Sequence, residues 1–246
     1  MPTETIAIVF ACLAALLTGF AKTGLPGIGI FVVVLMALAF PGETKQSVGA
    51  LLPLLVVGDI MALIWYRRHA EWRKLLKLVP AVVIGMILAQ FALGRIDEAV
   101  FRPLLGLLVL GMVLLELARR RFGLNRVPHH WAFVNGTGLL AGFSTTMGNV
   151  AGPIMGIYFL SRGWVKEQFM GTGAWFFFAV NVTKIPILWN LNLISKESLA
   201  LNAKLSPLVI LGGLVGVWIL PKIPAKAFAM IVLILSAVSA IKLVIG

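Results

Sequence analysis

Residues 17–29 read LTGFAKTGLPGIG, and residues 140–153 read LAGFSTTMGNVAGP. In each segment, glycine, proline and small hydroxylated residues lie between apolar runs of helical length. Glycine and proline interrupt helices, so each segment predicts a helix that breaks within the membrane. Interrupted hydrophobic segments at matching positions in two halves are typical of transporters, which bind their substrates at such breaks.

The composition is that of an integral membrane protein. Apolar residues make up 60% of the 246 residues and charged residues 12%, and the mean hydropathy is +1.02. A water-soluble fold of this length has no way to cover so much apolar surface. The net charge of +12 would indicate nucleic acid in a soluble protein, but most Lys and Arg residues lie in short loops beside apolar runs. We therefore expect the lipid bilayer as a partner, and no nucleic acid.

Ten apolar runs predict an all-α polytopic membrane protein. The long runs have the roughly 20 residues that a spanning helix needs, whereas the run at 149–160 is too short to cross alone. Short, glycine-interrupted runs at matching places predict broken or re-entrant helices. The runs cover residues 5–20, 24–40, 46–66, 75–93, 100–117, 131–146, 149–160, 169–190, 204–220 and 226–245.

The distribution of basic residues predicts the orientation. Four loops, at 67–77, 119–130, 161–167 and 221–226, carry 13 of the 21 Lys and Arg residues, and the segments on the opposite side carry six. Because basic loops remain in the cytoplasm, this bias predicts a multi-pass protein of the cytoplasmic membrane with an extracytoplasmic N-terminus.

The two halves, residues 1–122 and 123–246, are predicted to be inverted repeats within one membrane domain. The basic inside loop at 67–77 then corresponds to a nearly neutral outside loop at 191–203. Inverted repeats supply two similar packings that exchange, which is the basis of alternating access. The alternative is a chance alignment of low-complexity apolar sequence. The alignment pairs Phe20 with Phe143, Pro80 with Pro207, and Phe101 with Phe228.

The glycines of the two breaks are candidate substrate ligands through their backbone. They let N–H groups face a ligand without an intervening Cβ, and a helix restarting after Pro26 or Pro153 points its positive end at the same place. Such a site prefers an anion. The alternative is that these glycines serve close helix packing. The candidates are Gly24, Gly27 and Gly29 in the first break, with Thr23 beside them, and Gly148 and Gly152 in the second.

Charged residues within apolar runs are the next candidates. A lysine inside a bilayer costs about 2.5–3.5 kcal/mol, so Lys22 and Lys184 are candidate anion ligands, with snorkelling to an interface as the alternative. Asp59 lies in the middle of an apolar run and aligns within one residue of Asn181. It is a candidate for proton coupling or for an ion pair with a lysine, or else a structural hydrogen-bonding group. For Glu116, close to the arginines at 119–121, we expect a solvated interfacial role.

Neutral donors in the second break suit the oxygens of an oxyanion or a carboxylate. They are Ser144, Thr145, Thr146 and Asn149, and Asn181 on a later run belongs with them. Alternatively, the hydroxyls satisfy backbone carbonyls at a kink. No acid pair or activated nucleophile occurs at membrane depth, and no histidine has a carboxylate or cysteine at ligand spacing. We therefore predict no enzyme activity, no cofactor and no metal.

The two motifs resemble those of the sulfite exporter TauE/SafE family, whose members have two similar halves that each open with a Gly-Phe segment. Gly19-Phe20 through Gly29, and Gly142-Phe143 through Pro153, carry the resemblance. It implies transport of a small sulfur-containing anion such as sulfite, sulfoacetate or another organosulfonate. The sequence leaves open an anion channel, proton-coupled uptake of another small organic anion, and a homodimer.

Overall fold

The computed structural model describes residues 5–24, 27–122, 130–164, 166–219 and 225–245. The predicted helix restart at Pro26, the boundary between the halves at residue 123 and most of the predicted loop at 221–226 lie outside these residues. The described residues form α1 (Thr5–Thr23), α2 (Gly29–Ala39), α3 (Thr44–Tyr66), α4 (Trp72–Leu76), α5 (Val79–Arg95), α6 (Glu98–Phe122), α7 (Trp131–Gly148), α8 (Gly152–Ser161), α9 (Lys166–Asn190), α10 (Lys196–Ile219) and α11 (Ala225–Ile245).

The all-α membrane fold predicted from the apolar runs is confirmed. Each of the ten runs forms a helix, and the basic loop at 67–77 holds the additional short helix α4. Within the described ranges, four helices are long and apolar enough to cross a membrane: α1, α3 with the turn after it, α6 and α10. Large apolar side chains such as Ile6, Phe91 and Trp218 are exposed on the outer surface, where lipid covers them.

The predicted outside loop at 191–203 is wrong in its extent, because α10 already begins at Lys196. Ser195 and Ser198 cap this helix reciprocally, since each hydroxyl oxygen accepts from the backbone N–H of the other serine. This pair of caps allows the polar residues that follow to be helical despite their low hydropathy.

The helix breaks occur where the sequence predicts them. α1 ends at Thr23 and α2 begins at Gly29, while α7 ends at Gly148 and α8 begins at Gly152. With 11 and 10 residues, α2 and α8 are about 15 Å long, which is half of a hydrocarbon core. Each half therefore pairs a long helix with a short one across a break.

Four glycines make matching contacts in the two halves. A Cβ on Gly19 of α1 would collide with the carbonyl of Val209 on α10, and a Cβ on Gly142 of α7 would collide with the carbonyl of Val82 on α5. Gly212 and Gly85 are equally tight against the carbonyls of Leu16 and Leu139. These are equivalent positions in the alignment of Phe20 with Phe143 and Pro80 with Pro207, so α1 packs on α10 as α7 packs on α5.

The two broken helices end at opposite ends of α3. Tyr66 Oη, in the last turn of α3, donates to the carbonyl of Thr23 at the end of α1 (3.0 Å). Asn149 Nδ2, at the end of α7, donates to the carbonyl of Val48 in the first turns of α3 (3.1 Å). α3 also runs antiparallel to α9, because Gly171 approaches Tyr66 and Asn181 contacts Asp59. α1 and α7 thus approach the centre of the bundle from opposite sides.

Candidate functional site

A cavity of about 120 Å³ lies where both helix breaks meet α3 and α9. Eight of the candidate site residues predicted from the sequence line it: Lys22, Gly27, Gly29, Asp59, Thr145, Asn149, Gly152 and Asn181. They come from α1, the first break, α2, α3, α7, the second break, α8 and α9. The cavity therefore gathers the polar groups of both halves at one place.

Lys22 and Asp59 form an ion pair on the wall of this cavity. Lys22 Nζ lies 2.7 Å from Asp59 Oδ1, and Asn181 Nδ2 donates to Asp59 Oδ2 (2.6 Å). The Asp59 carboxyl is fully buried, whereas the Lys22 side chain is 16% exposed. Lys22 Nζ also lies 4.6 Å from the centroid of the Phe177 ring, a cation–π contact. The Asp59 carboxylate, which Asn181 positions, and the Phe177 ring thus hold the ammonium in a defined position.

Lys184 lies behind the wall and not on it. Its side chain is fully buried, and its ammonium donates to the carbonyl oxygen of Thr145 (3.0 Å), to Thr145 Oγ1 (3.0 Å) and to Asn149 Oδ1 (2.5 Å). These contacts use all three donors of the ammonium. The alternative of snorkelling is therefore wrong for Lys184. Its ammonium instead supplies a hydrogen-bond donor to a carbonyl in the last turn of α7, where a positive charge is favoured.

Asn149 connects three helices at the second break. It caps α7 in the left-handed conformation (φ 58°), a region that residues other than glycine seldom adopt. Its side-chain oxygen accepts from Lys184 on α9, and its side-chain nitrogen donates to Val48 on α3. This bridge accounts for an asparagine where the backbone alone would favour glycine.

The N-termini of both short helices face the cavity. Gly27 (φ 110°) and Gly29 line it at the start of α2, and Gly152 and Pro153 line it at the start of α8. The first N–H groups of a helix have no partner within the helix and carry a partial positive charge. Two positive helix ends and the Lys22 ammonium therefore surround one cavity, an arrangement that favours an anion.

Five other residues predicted for the site lie away from the cavity. The hydroxyl of Thr23 donates to the carbonyl of Gly213 (2.8 Å), and that of Ser144 donates to the carbonyl of Leu140 (2.7 Å). These bonds between hydroxyls and backbone match the kink-satisfying alternative for such residues. The remaining three are Gly24 in the turn that ends α1, the buried Thr146, and Gly148, which packs against Leu105.

Sequence reasoning missed the apolar part of the wall. One face of α9 carries Phe169, Gly173, Phe177 and Asn181, and Met155 and Phe159 of α8 lie opposite. The spacing of three or four residues on α9 is the available signal, but lipid-facing and core-facing residues have the same spacing. The composition of the helix alone therefore does not identify this face.

The expectation of a solvated role for Glu116 is wrong, because its side chain is only 3% exposed. Its carboxylate accepts from Arg119 Nε (2.8 Å) and Nη2 (2.5 Å), and from Arg120 Nε (2.8 Å). Two neighbouring guanidinium groups thus compensate the buried charge. A Cβ at Gly27 would lie 3.9 Å from Glu116 Oε1, so this cluster borders the cavity wall at the first break.

Comparisons with known proteins agree with this architecture. No curated protein and no solved structure matches the chain. The family model described as sulfite exporter TauE/SafE matches residues 11–243, which is nearly the whole chain and includes both helix breaks and every side chain of the cavity described above. The chain therefore belongs to the sulfite exporter TauE/SafE family, a family of membrane transporters and not of enzymes.

Proposed function

We propose that this protein exports a small sulfur-containing anion, such as sulfite, sulfoacetate or another organosulfonate, across the cytoplasmic membrane by alternating access. The observation that carries the proposal is the Lys22–Asp59 pair on a cavity onto which two helix N-termini converge. An anion in the cavity can contact both the Lys22 ammonium and the positive N-terminal ends of α2 and α8. Lys22, Thr145, Asn149 and Asn181 are its proposed side-chain ligands.

Alternating access is proposed to result from two inverted repeats. The matching glycine contacts of α1 with α10 and of α7 with α5 support a duplication, and the ends of α1 and α7 at opposite ends of α3 support an inversion. Exchange of the two packings would open the cavity to one side and then to the other.

Export is supported by the direction in which the cavity extends. From Asn181 its lining follows α9 back to Phe169, and the neighbouring Gln168 donates to Glu71 of the basic loop at 67–77 (3.1 Å). The positive-inside bias assigns this loop to the cytoplasm and the N-terminus to the opposite side. An anion would load from the cytoplasm, and its exit gains about 2.3 kcal/mol per elementary charge at 100 mV, inside negative.

Proton-coupled uptake is the second candidate, and Asp59 is the observation that favours it. An anion drawn into a negative cell requires a compensating cation, and a carboxyl that touches the anion-binding lysine is suited to carry a proton. The two directions differ in one measurable respect. Coupled uptake into proteoliposomes is driven by an inward proton gradient, whereas uncoupled export responds to membrane voltage alone.

Counterflow in proteoliposomes tests the proposal. Labelled sulfite or sulfoacetate should accumulate against unlabelled internal anion in the native protein, and Lys22→Met should reduce this by about tenfold or more, because a hydrogen bond to a charged group contributes about 1.5–3 kcal/mol. Lys77→Met removes an exposed lysine of the basic loop and serves as the matched control. Flux without counterflow would indicate a channel, and equal flux in both variants would refute the site.

A further inference from the structure

The lining of the cavity is polar at one end and apolar along the rest. On α9 the lining begins at Phe169 and ends at Asn181, and these residues are separated by about 18 Å along the helix axis. Asp59, Lys22 and Asn181 form one connected group at the Asn181 end. A ligand held by this group therefore has the apolar length of the cavity beside it.

The apolar end is closed by aromatic rings from two helices. The ring centroids of Phe159 on α8 and Phe169 on α9 lie 5.3 Å apart in an edge-to-face contact. Met155 and Met170 line the wall next to them. Methionine side chains are unbranched and polarizable, and they adapt to apolar groups of varied shape. A fully polar ligand would leave these side chains facing water.

The charges that contact the proposed ligands match a single negative charge. Among the described residues, the charged side chains on the cavity wall are Lys22 and Asp59, and Lys184 donates to Thr145 and Asn149 from behind it. These two ammonium groups and one carboxylate leave one unit of positive charge, whereas the cluster of Glu116 with its two arginines borders the wall at Gly27 and contacts none of the proposed ligands. A monoanion brings the sum to zero, whereas a dianion leaves an uncompensated charge in a poorly hydrated site, which is costly.

The size of the cavity limits the ligand. A cavity of about 150 Å³ in another protein holds one benzene molecule, so a volume of about 120 Å³ accommodates roughly five non-hydrogen atoms by the same scaling. An acid group with one or two carbon atoms has this size. A second acid group on the same carbon chain would exceed it and would lie against the phenylalanines.

We infer that the preferred substrate is a short organic monoanion, with its sulfonate or carboxylate at Lys22 and a tail of one or two carbon atoms directed along α9, past Phe177 and toward Phe159. This inference rests on the proposed transport function and specifies the substrate class of the same site. It predicts that methanesulfonate, ethanesulfonate and propionate bind with higher affinity than sulfite, sulfate and sulfoacetate.

Competition in the counterflow assay tests the inference. Unlabelled alkylsulfonates of one to four carbons, propionate, sulfite, sulfate and sulfoacetate are compared as inhibitors of labelled ethanesulfonate uptake by the native protein. We expect affinity to rise about fourfold from methanesulfonate to ethanesulfonate, the value for burying one methylene, and to fall for the longest tail. Sulfate and sulfoacetate should bind at least about tenfold more weakly than ethanesulfonate, because each leaves a charge uncompensated.

Phe159→Ala should move the optimum to a tail that is one or two carbons longer, because Phe159 lies beside Gly173, one helical turn beyond Phe177. Phe91→Ala removes a phenylalanine from the lipid-facing surface of α5 and should leave the optimum unchanged. If Phe159→Ala does not fold, the tail-length series with the native protein decides alone. Tighter binding of sulfite or sulfoacetate, with no dependence on tail length, would overturn the inference and leave the proposed function intact. Absence of counterflow with every anion would overturn both.

Discussion

Asp59→Asn should strengthen anion binding while it impairs coupled transport. In the native protein Asp59 Oδ1 occupies one side of the Lys22 ammonium at 2.7 Å. An anion oxygen bound to the same ammonium at hydrogen-bond distance would lie within about 5 Å of the carboxylate. At that separation and an effective dielectric constant of about 20, two negative charges repel by about 3 kcal/mol. Removing the charge should therefore tighten binding by about two orders of magnitude.

The pH dependence of anion affinity shows whether protonation of Asp59 strengthens or weakens anion binding. An ionised Asp59 opposes the anion and a protonated one does not, so native affinity should rise as pH falls. In Asp59→Asn this dependence should disappear, because the amide has no proton to gain. Asparagine keeps the shape of the side chain and can still accept from Asn181, so packing is conserved. An alkylsulfonate is the appropriate ligand, since it remains ionised throughout the range.

Calorimetric titration of purified native protein and of Asp59→Asn, from pH 5 to pH 8, measures the anion affinity and its dependence on pH. Glu197→Gln removes an exposed carboxylate from the first turn of α10, away from the cavity, and controls for the change in net charge. Without ligand, Asp59→Asn should also unfold at a lower temperature, because Lys22 loses its counter-ion, and added anion should restore the loss. Binding of equal or lower affinity in Asp59→Asn would refute the idea that the carboxylate competes with the substrate.

Three further substitutions test the supports of the site. Lys184→Met should lower the free energy of unfolding by about 1–3 kcal/mol and weaken anion binding, because it leaves the buried oxygens at the end of α7 without a donor. An unchanged melting temperature and an unchanged anion affinity would contradict this. Asn149→Gly keeps the left-handed backbone but removes the side-chain bridge to Lys184 and Val48, so anion affinity should fall. Asn192 is the other left-handed asparagine among the described residues, and Asn192→Gly should leave anion affinity unchanged in the same titration. Gly142→Ala forces a Cβ into the backbone of α5 and should lower the free energy of unfolding by about 1–3 kcal/mol. Gly136→Ala, on an open face of α7, should instead raise it by up to about 1 kcal/mol. Thermal unfolding in detergent compares the two variants.

The sequence was sufficient to predict every helix except the short α4, because each of the others contains an apolar run, and bilayer thickness sets the length of those that cross the membrane. It also identified both helix breaks, since glycine and proline act locally. The start of α10 was missed because a helix capped by Ser195 and Ser198 can begin in polar sequence. Composition alone does not reveal such a cap when the residues after it include lysine and asparagine.

For the site, the sequence identified charged residues but not their partners. Lys22 and Asp59 were recognisable because charge within an apolar run is costly, yet the contact between them depends on how α1 packs against α3. Lys184 was recognisable for the same reason, but its role follows from three acceptors on α7 and the second break. The phenylalanines of the wall were not recognisable, because a side chain facing a cavity and one facing lipid are equally apolar.

The charges of the two predicted halves differ at positions that the sequence alignment pairs. In the alignment of Phe20 with Phe143, Lys22 of the first broken helix corresponds to Thr145 of the second. The first half thus has its cation on the broken helix, and the second has Lys184 on the long helix α9. If the halves exchange conformations as proposed, Lys22 moves with α1 relative to α3, whereas Lys184 stays on α9 and Thr145 moves past it. The two lysines would then act at different stages: Lys22 accompanies the anion, and Lys184 fixes the second break in this conformation and releases it when α7 moves. On the proposed duplication, this division of roles would result from divergence of charge between the halves, and the separate effects expected for Lys22→Met and Lys184→Met measure it.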